Sequence, residues 1–205
     1  TAYEIRNCDW SSDVCSSDLD RDRGFSALDL VTWDRPAIFC KFAGALAAAG
    51  LTILSARIFT RSDGIVLDSF ELVDASSGEL VKKFKRDKFS AMIKAVLGEG
   101  ADLDTLVDKN SKTPPLYQTV ERDSLEGQVR FDNDRLPSRT LLEVETEDRV
   151  GLLYKVSKVL HEQQLDLSYA KILTEKGAAI DSFYIKNHRG EKISAPSEQR
   201  RIKTA

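Results

Sequence analysis

The sequence holds few cysteines, few histidines and no long apolar run. Its three cysteines (Cys8, Cys15 and Cys40) are too few and too irregularly spaced for a disulfide framework, so we expect a reducing, cytoplasmic environment. No apolar stretch approaches the roughly 20 residues that a membrane span needs. A net charge of −3 disfavours a general nucleic-acid or anionic-membrane surface. We therefore expect an ordinary soluble globular protein, with neither nucleic acid nor membrane among its partners.

Residues 5–19 have neither helical nor strand periodicity. They read IRNCDWSSDVCSSDL, a stretch dense in serine and aspartate, and they resemble translated sequencing-adaptor read-through. Cys8 and Cys15 match no zinc-knuckle or CxxC spacing and have no histidine nearby, which disfavours a metal or redox site. We therefore set residues 1–20 aside as an artefact or a disordered segment. Because the chain starts at Thr1 and has Met92 as its only methionine, we also expect it to be a piece of a longer protein.

The rest of the chain repeats itself. Placing Asp34-Arg35 on Asp148-Arg149 also aligns a series of identical residues: Lys41 with Lys155, Leu46 with Leu160, Leu51 with Leu165, Ala56 with Ala170, Ile58 with Ile172 and Thr60 with Thr174. One residue is then dropped at a glycine turn, where a hairpin tolerates a change of length, and Asp68-Ser69-Phe70 aligns with Asp181-Ser182-Phe183. Chance rarely gives this many matches, so the chain is a duplication.

Each copy has the same order of predicted elements. A short alternating strand leads through a tight polar turn into an amphipathic helix with apolar residues at three- and four-residue spacing, and two strands joined by a glycine turn follow. The predicted strands are 25–31, 52–61 and 65–73 in copy one and 140–145, 165–174 and 179–187 in copy two. Copy one continues into a second helix at 87–97 and a last strand at 128–131. Copy two ends within its second helix, at 197–205.

This order is the ferredoxin-like βαββαβ plan, an antiparallel sheet with both helices on one face. We therefore predict an α+β fold of two tandem modules. The first occupies 21–135, including a long connection around Pro114-Pro115, and the second, C-terminally incomplete, occupies 136–205. Such a sheet leaves its other face and an edge strand available for a partner, which the two copies can supply to each other. The missing last strand of copy two would leave that sheet edge open, so a homodimer is a further hypothesis.

Three motifs carry a family resemblance. Both copies have Asp-Arg-x-[Gly/Ala]-[aliphatic]-[Leu/Phe] before the first helix, A-[KR]-I-x-T in the second strand and D-S-F in the third. With this architecture, they resemble the ACT domain family, and over residues 25–205 they resemble the C-terminal ACT pair of bacterial bifunctional PII uridylyltransferase/uridylyl-removing enzymes. The resemblance implies glutamine sensing in nitrogen control, with the PII protein as a partner. It also implies upstream nucleotidyltransferase and HD phosphohydrolase domains, the former using Mg²⁺ and UTP.

The chain itself lacks the residues for either of those activities. It has only two histidines (His161 and His188) and no adjacent His-Asp pair, so it cannot assemble an HD metal centre. It also has no Gly-Ser turn leading to the paired aspartates with which a nucleotidyltransferase holds magnesium. We therefore expect a regulatory module with no catalytic centre and no cofactor or metal of its own.

The turn before each first helix is the candidate ligand site. The free N–H groups and the positive end of the helix dipole face this turn and suit an amino acid's α-carboxylate, while the aspartate of the turn could receive the α-ammonium group. Many ACT domains also place a side chain from the start of the second strand against the ligand. The candidate residues are Asp34, Arg35, Pro36, Ala37, Ile38, Phe39 and Thr52 in copy one, and Asp148, Arg149, Val150, Gly151, Leu152, Leu153 and Asp166 in copy two.

Alternatives remain open for this site. Asp34 and Asp148 could simply be helix N-caps, each contributing about 1 kcal/mol. The family's Pro-Gly after Asp-Arg is split, since copy one keeps Pro36 but has Ala37, and copy two has Val150 but keeps Gly151. If a ligand needs the glycine, the second loop is the better binder. The chain could also be an ACT-repeat scaffold that only docks on neighbouring domains or on PII, or the ACT pair of another regulatory protein.

Overall fold

The structure is a computed structural model that describes residues 14–20, 24–99, 102–111, 127–175 and 178–205. The described part of the first half contains β1 (Val14–Asp20), β2 (Phe25–Trp33), α1 (Ile38–Ala48), β3 (Leu51–Thr60), β4 (Ile65–Asp74), α2 (Lys83–Lys94) and α3 (Leu103–Ser111). A π-helical turn at Ala95–Glu99 follows α2. The second half holds β5 (Gln128–Asp132), β6 (Thr140–Glu147), α4 (Leu152–Glu162), β7 (Asp166–Glu175), β8 (Ala178–Lys186) and α5 (Pro196–Thr204). Within the described ranges, no helix has the length and apolar character to cross a membrane.

The strands of the described ranges form one continuous sheet of eight, in the order β1-β2-β4-β3-β7-β8-β6-β5. All neighbouring strands are antiparallel, and the two repeats meet where β3 pairs with β7. In this pairing Arg57 faces Lys171, its repeat-equivalent residue, while Ala56 faces Ile172 and Ile58 faces Ala170. The repeats are therefore related by a local two-fold axis that passes between Arg57 and Lys171. Each copy supplies the edge partner that the other needs.

The core lies on the helix-covered face of the sheet. Burial alternates along β4 and β8, as expected for strands with one covered face. Helix α1 is buried on nearly every side because α2, α3 and α4 all pack against it. A Cβ added to Gly44 in α1 would lie 2.8 Å from the ring of Tyr154 in α4 and 2.9 Å from Leu103 in α3. Glycine at this position therefore permits the close approach of the three helices.

The predicted fold class is confirmed: two ferredoxin-like antiparallel modules lie in tandem with helices on one face. The predicted strands and helices recur with their ends shifted by a few residues, and the second helix of copy two forms as α5. The glycine turn predicted at Lys176-Gly177 lies outside the described residues. Helix α3 has no counterpart among the sequence predictions, because its polar composition resembles that of a connection.

The strand predicted at 128–131 exists, but its predicted place as the last strand of copy one is wrong. It forms β5 and pairs with β6 of copy two, filling the edge that the incomplete second copy was expected to leave open. Residues 14–20, set aside from the sequence, form β1 in the equivalent position beside β2. In each half the strand beside the first repeat strand thus comes from the chain that precedes it. The adaptor-like origin of residues 1–20, the outer bounds of the modules and a homodimer stay predictions.

Helices α1 and α4 are equivalent in the repeat, but the residue that ends each helix in a left-handed conformation is of a different type. After α1 the left-handed position is Gly50, with φ 76°, whereas after α4 it is the exposed Gln164, with φ 55°. A left-handed backbone costs a residue with a side chain roughly 1 kcal/mol relative to glycine. The second helix therefore ends under strain that the first avoids.

We expect Gln164→Gly to raise the free energy of unfolding by about 0.5–1 kcal/mol, because glycine adopts this backbone without strain. Chemical denaturation followed by circular dichroism measures the change. The neighbouring Gln163 has φ −80°, so Gln163→Gly is the matched control and should destabilise slightly or have no effect. Equal effects of the two substitutions would contradict the strain at Gln164.

Candidate functional site

The turns before α1 and α4 have the same backbone. The residue before each helix, Ala37 or Gly151, is left-handed, with φ 61° and 85° respectively. In both turns the first helical amide donates to the carbonyl of the Asp-Arg arginine, at 3.0 Å from Ile38 to Arg35 and at 3.0 Å from Leu152 to Arg149. The duplicated motif therefore builds the same turn twice, although glycine is present only in the second.

The interpretation of Asp34 and Asp148 as helix N-caps is wrong. The capping positions are held by Ala37 and Gly151, three residues further on, and neither helix has a side-chain capping hydrogen bond at its N-cap residue. Asp34 is exposed, whereas Asp148 is buried. The first helical amides are therefore not occupied by the side chain of an N-cap residue.

Each turn faces the other repeat. The turn of copy one opens into a cavity of about 360 Å³, here named cavity one, which is also lined by α4 and by the start of β7. Of the fourteen predicted site residues, cavity one brings together Asp34, Arg35, Pro36, Ala37, Ile38, Phe39 and Asp166. Asp166 comes from the opposite copy, so the site is built across the module interface. The sequence predicted that each turn forms a site with the start of the second strand of its own copy. The structure instead combines the turn of one copy with the start of the second strand of the other.

The turn of copy two forms the equivalent cavity two, with the exchange reversed. It brings together the remaining predicted residues, Asp148, Arg149, Val150, Gly151, Leu152, Leu153 and Thr52. The buried hydroxyl of Thr52 has no hydrogen-bond partner among the described residues. Cavity two measures only about 30 Å³, room for roughly one water molecule. The turn that contains glycine therefore has the smaller cavity, although the sequence predicted that it would be the better binder.

Helix α3 accounts for the difference between the two cavities. Val107 of α3 is fully buried against the second turn, and a Cβ on Gly151 would lie 2.6 Å from its Cγ1 atom. Asp104 anchors the helix, accepting hydrogen bonds from the Tyr154 hydroxyl at 2.9 Å and from Lys158 Nζ at 2.6 Å. These two donors hold the pKa of Asp104 below its usual value. The connection between the modules thus packs on one turn of the pair and leaves the other open.

A buried carboxyl lies in the wall of each cavity. Asp68 in β4 is 1% exposed, and neither of its oxygens has a hydrogen-bond partner among the described residues. Burial raises the pKa of Asp68 to about 8, and the negative charge of Asp34 contributes. The backbone N–H of Phe59 lies near the carboxyl and favours its charged form, which lowers the pKa, but its geometry is not that of a hydrogen bond.

The repeat-equivalent Asp181 in β8 lies in the wall of cavity two. It is also 1% exposed, and one of its oxygens has no partner among the described residues. Burial raises the pKa of Asp181 to about 7, and the charge of Asp148 contributes. Each module therefore pairs the aspartate of its turn with a second, buried carboxyl.

Asp68 and Asp181 are not among the site residues predicted from the sequence. A signal was present, because both occupy the inward phase of strands whose other inward residues are mainly apolar (Val66, Phe70 and Leu72; Ala179, Phe183 and Ile185). An acidic residue in that phase, repeated in both copies, indicates a buried charge that packing alone does not explain. Val107 carried no such signal, since its contact depends on how the modules meet.

The comparisons with known proteins agree with this architecture. Residues 128–205 match an ACR9-like, ACT-like domain, a range that begins at β5. The chain is 35% identical over 186 residues to a bifunctional uridylyltransferase/uridylyl-removing enzyme of Azospirillum brasilense, covering 90% of this chain and 20% of that protein. It is 32% identical over 188 residues to the enzyme of the same name from Ruegeria pomeroyi, covering 91% and 20%. The chain thus spans about a fifth of the length of these relatives.

A crystal structure of aspartate kinase from Synechocystis is similar at a TM-score of 0.45 and 15% identity, over 87% of this chain and 26% of that one. This likeness is too weak to add to the fold assignment, which rests on strand order and pairing. Residues 128–205 are thus similar to an ACT-like domain, and the repeat gives the first half of the chain the same architecture. The resemblance of the chain to a segment of bifunctional uridylyltransferase/uridylyl-removing enzymes is confirmed.

Placing glycine at Ala37 and alanine at Gly151, the two left-handed N-cap residues, tests whether α3 packs on the second turn only. We expect Ala37→Gly to stabilise the protein by roughly 0.5–1 kcal/mol, because it relieves a left-handed alanine. We expect Gly151→Ala to destabilise it by at least about 2 kcal/mol, because the new methyl group adds a clash with Val107 to the same backbone strain. Urea denaturation measures both.

A double-mutant cycle is the control for the clash. Combining Gly151→Ala with Val107→Ala should cost less than the sum of the two single substitutions, because the smaller side chain gives way to the new methyl group. Strict additivity would show that α3 does not pack on the second turn.

The buried carboxyl of Asp68 makes stability depend on pH. Its pKa is about 8 in the folded state against 3.8 for the ordinary group, so the folded protein holds a proton that the unfolded chain releases. The stabilisation is complete below pH 4 and is lost as the pH rises through about 8. We expect Asp68→Asn to flatten this fall, with a difference on the order of a few kcal/mol between pH 4 and pH 9.

Urea midpoints measured across that range for wild type and Asp68→Asn provide the test. Asp134→Asn, on an exposed turn, is the control and should change the free energy of unfolding by less than about 0.5 kcal/mol. Parallel pH profiles for wild type and Asp68→Asn would show that the carboxyl is not desolvated.

Proposed function

We propose that this chain is the amino-acid-sensing regulatory module of a bifunctional uridylyltransferase/uridylyl-removing enzyme, and that it binds L-glutamine in cavity one. The observation that carries the proposal is cavity one itself. Its volume of about 360 Å³ lies within the range of small-molecule sites, and it sits between two modules, where such sites concentrate. The choice of glutamine rests on the resemblance of the duplicated motifs to the ACT pair of these enzymes and is part of the proposal.

The chemistry of the cavity suits a free amino acid. The N-terminus of α1 offers backbone N–H groups and a positive dipole end to an α-carboxylate. Asp34 and Asp166 offer negative charge for an ammonium group, while Ile38, Phe39 and Ile58 supply apolar wall. A pocket with a few polar groups on an apolar wall is the usual form of a small-ligand site.

Binding in cavity one would report on the relative placement of the modules. A ligand there touches the turn and α1 from one module and α4 and β7 from the other. It would therefore favour the arrangement that holds both sides at the right distance, and this differential affinity is what allosteric coupling requires. In the full-length cytoplasmic enzyme, the upstream catalytic domains, which use Mg²⁺ and UTP, and the PII protein would respond to that arrangement.

Isothermal titration calorimetry of the 205-residue chain with L-glutamine tests the proposal. We expect one ligand per chain, because cavity two lacks the room for an amino acid. Thr60→Phe places a large side chain in the wall of cavity one and should weaken binding at least tenfold. Its matched control is Thr174→Phe, the same position in the other repeat, which lines neither cavity and should leave the affinity unchanged.

Absence of heat from the wild-type chain at millimolar glutamine would contradict glutamine binding. Unchanged affinity in Thr60→Phe would contradict its location in cavity one. A chain that binds PII or the upstream domains equally well with and without glutamine would instead support the scaffold interpretation.

A further inference from the structure

Asp68 is the feature of cavity one that the proposed function leaves unexplained. An isolated buried carboxyl without hydrogen bonds is costly, and such groups persist mainly where a ligand or a charge partner compensates them. Asp68 lies in the wall of the same cavity as Asp34, and the two carboxyls repel each other. Two acidic groups on one cavity suit a cation placed between them.

The connectivity of an amino acid decides which cation this is. Its α-carboxylate and α-ammonium groups are attached to the same carbon atom, so a carboxylate at the N-terminus of α1 brings the ammonium group close by. Asp34 stands three residues before that N-terminus, and Asp68 interacts with Asp34. The side chain of the ligand then points elsewhere in the cavity.

On the basis of the proposed function, we infer that Asp68 is a specificity-determining residue that receives the α-ammonium group of the ligand together with Asp34. The site therefore accepts free α-amino acids and rejects analogues that lack the amino group. The equivalent Asp181 does not act in this way, because cavity two has no room for a ligand.

Proton release is the first consequence. At neutral pH the Asp68 carboxyl is mostly protonated, because its pKa is about 8. An ammonium ion favours the carboxylate, so the O–H bond of Asp68 breaks on binding and the proton passes to the buffer. The other charged or titratable groups that line cavity one are Asp34, Arg35, Cys40, His161 and Asp166.

Calorimetry at pH 7 in buffers of different ionisation enthalpy counts the protons released. We expect wild type to release about one proton per glutamine bound, since Asp68 changes from its acid to its base form. Asp68→Asn should abolish this release and weaken glutamine binding at least tenfold. Asp181→Asn, the matched control in the other repeat, should retain both the release and the affinity. Equal release by wild type and Asp68→Asn would assign the proton to another group and overturn the inference.

A second measurement identifies the ligand group. Glutaramate is glutamine without its α-amino group, so it should bind wild type at least tenfold more weakly than glutamine does. Asp68→Asn should bind the two compounds with similar affinity, because the partner of the ammonium group is gone. If Asp68→Asn weakens both compounds by the same factor, Asp68 only shapes the cavity and the inference fails.

The two proposals fail in different ways. A wild-type chain that binds none of the twenty L-amino acids contradicts amino-acid sensing itself. A chain that binds glutamine without proton release and without discrimination against glutaramate keeps the proposed function and contradicts only the role of Asp68. Circular dichroism melts of Asp68→Asn confirm that the variant is folded, and the wild-type proton count needs no variant.

Discussion

Antiparallel pairing between β3 and β7 is the contact on which both cavities depend. It sets the repeat-equivalent Arg57 and Lys171 opposite each other and so relates the two modules by a local two-fold axis. Under that symmetry the turn before α1 faces the start of β7, and the turn before α4 faces the start of β3. A single module would have the turn and its helix N-terminus but only half of a pocket. The duplication is therefore a condition of the site and not merely of the fold.

The connection between the modules breaks this symmetry. A chain that duplicates a domain must also link the copies, and here the link contains α3, which follows the second helix of copy one. Its Val107 packs on the second turn, and Asp104 is held by two donors from α4. Because a well-packed contact excludes further atoms, the second turn has become part of the core while the first remains a cavity. One ligand on one side of a pseudo-symmetric pair could thereby change the relation between the copies.

Much of this architecture could be predicted from the sequence, because the repeat fixed the order of elements and periodicity gave their approximate bounds. The turns, and both residues at the start of the second strands, Thr52 and Asp166, were also predicted as site residues, and the structure places them in the walls of the two cavities. Their role in ligand binding stays a prediction. The pairing of β5 with β6 could not be predicted, because a short strand in a long polar connection carries no local signal for its partner. Asp68 carried a signal in the inward phase of its strand, but its place in the wall of a cavity depends on how the modules pack.

The buried carboxyls of Asp68 and Asp181 are harder to explain by folding stability alone than the two turns are. Local propensity, pattern and packing would all favour an apolar residue at Asp68 and Asp181, and a conflict of this kind is expected mainly at functional sites. At cavity two, α3 packs over the turn and leaves no room for a ligand. The buried Asp181 carboxyl therefore lowers the stability of the protein without a ligand to compensate it. In cavity one the same carboxyl adjoins a space large enough for one. The repeat thus places the same buried aspartate in two environments, and the packing of α3 on the second turn leaves only Asp68 beside a space large enough for a ligand.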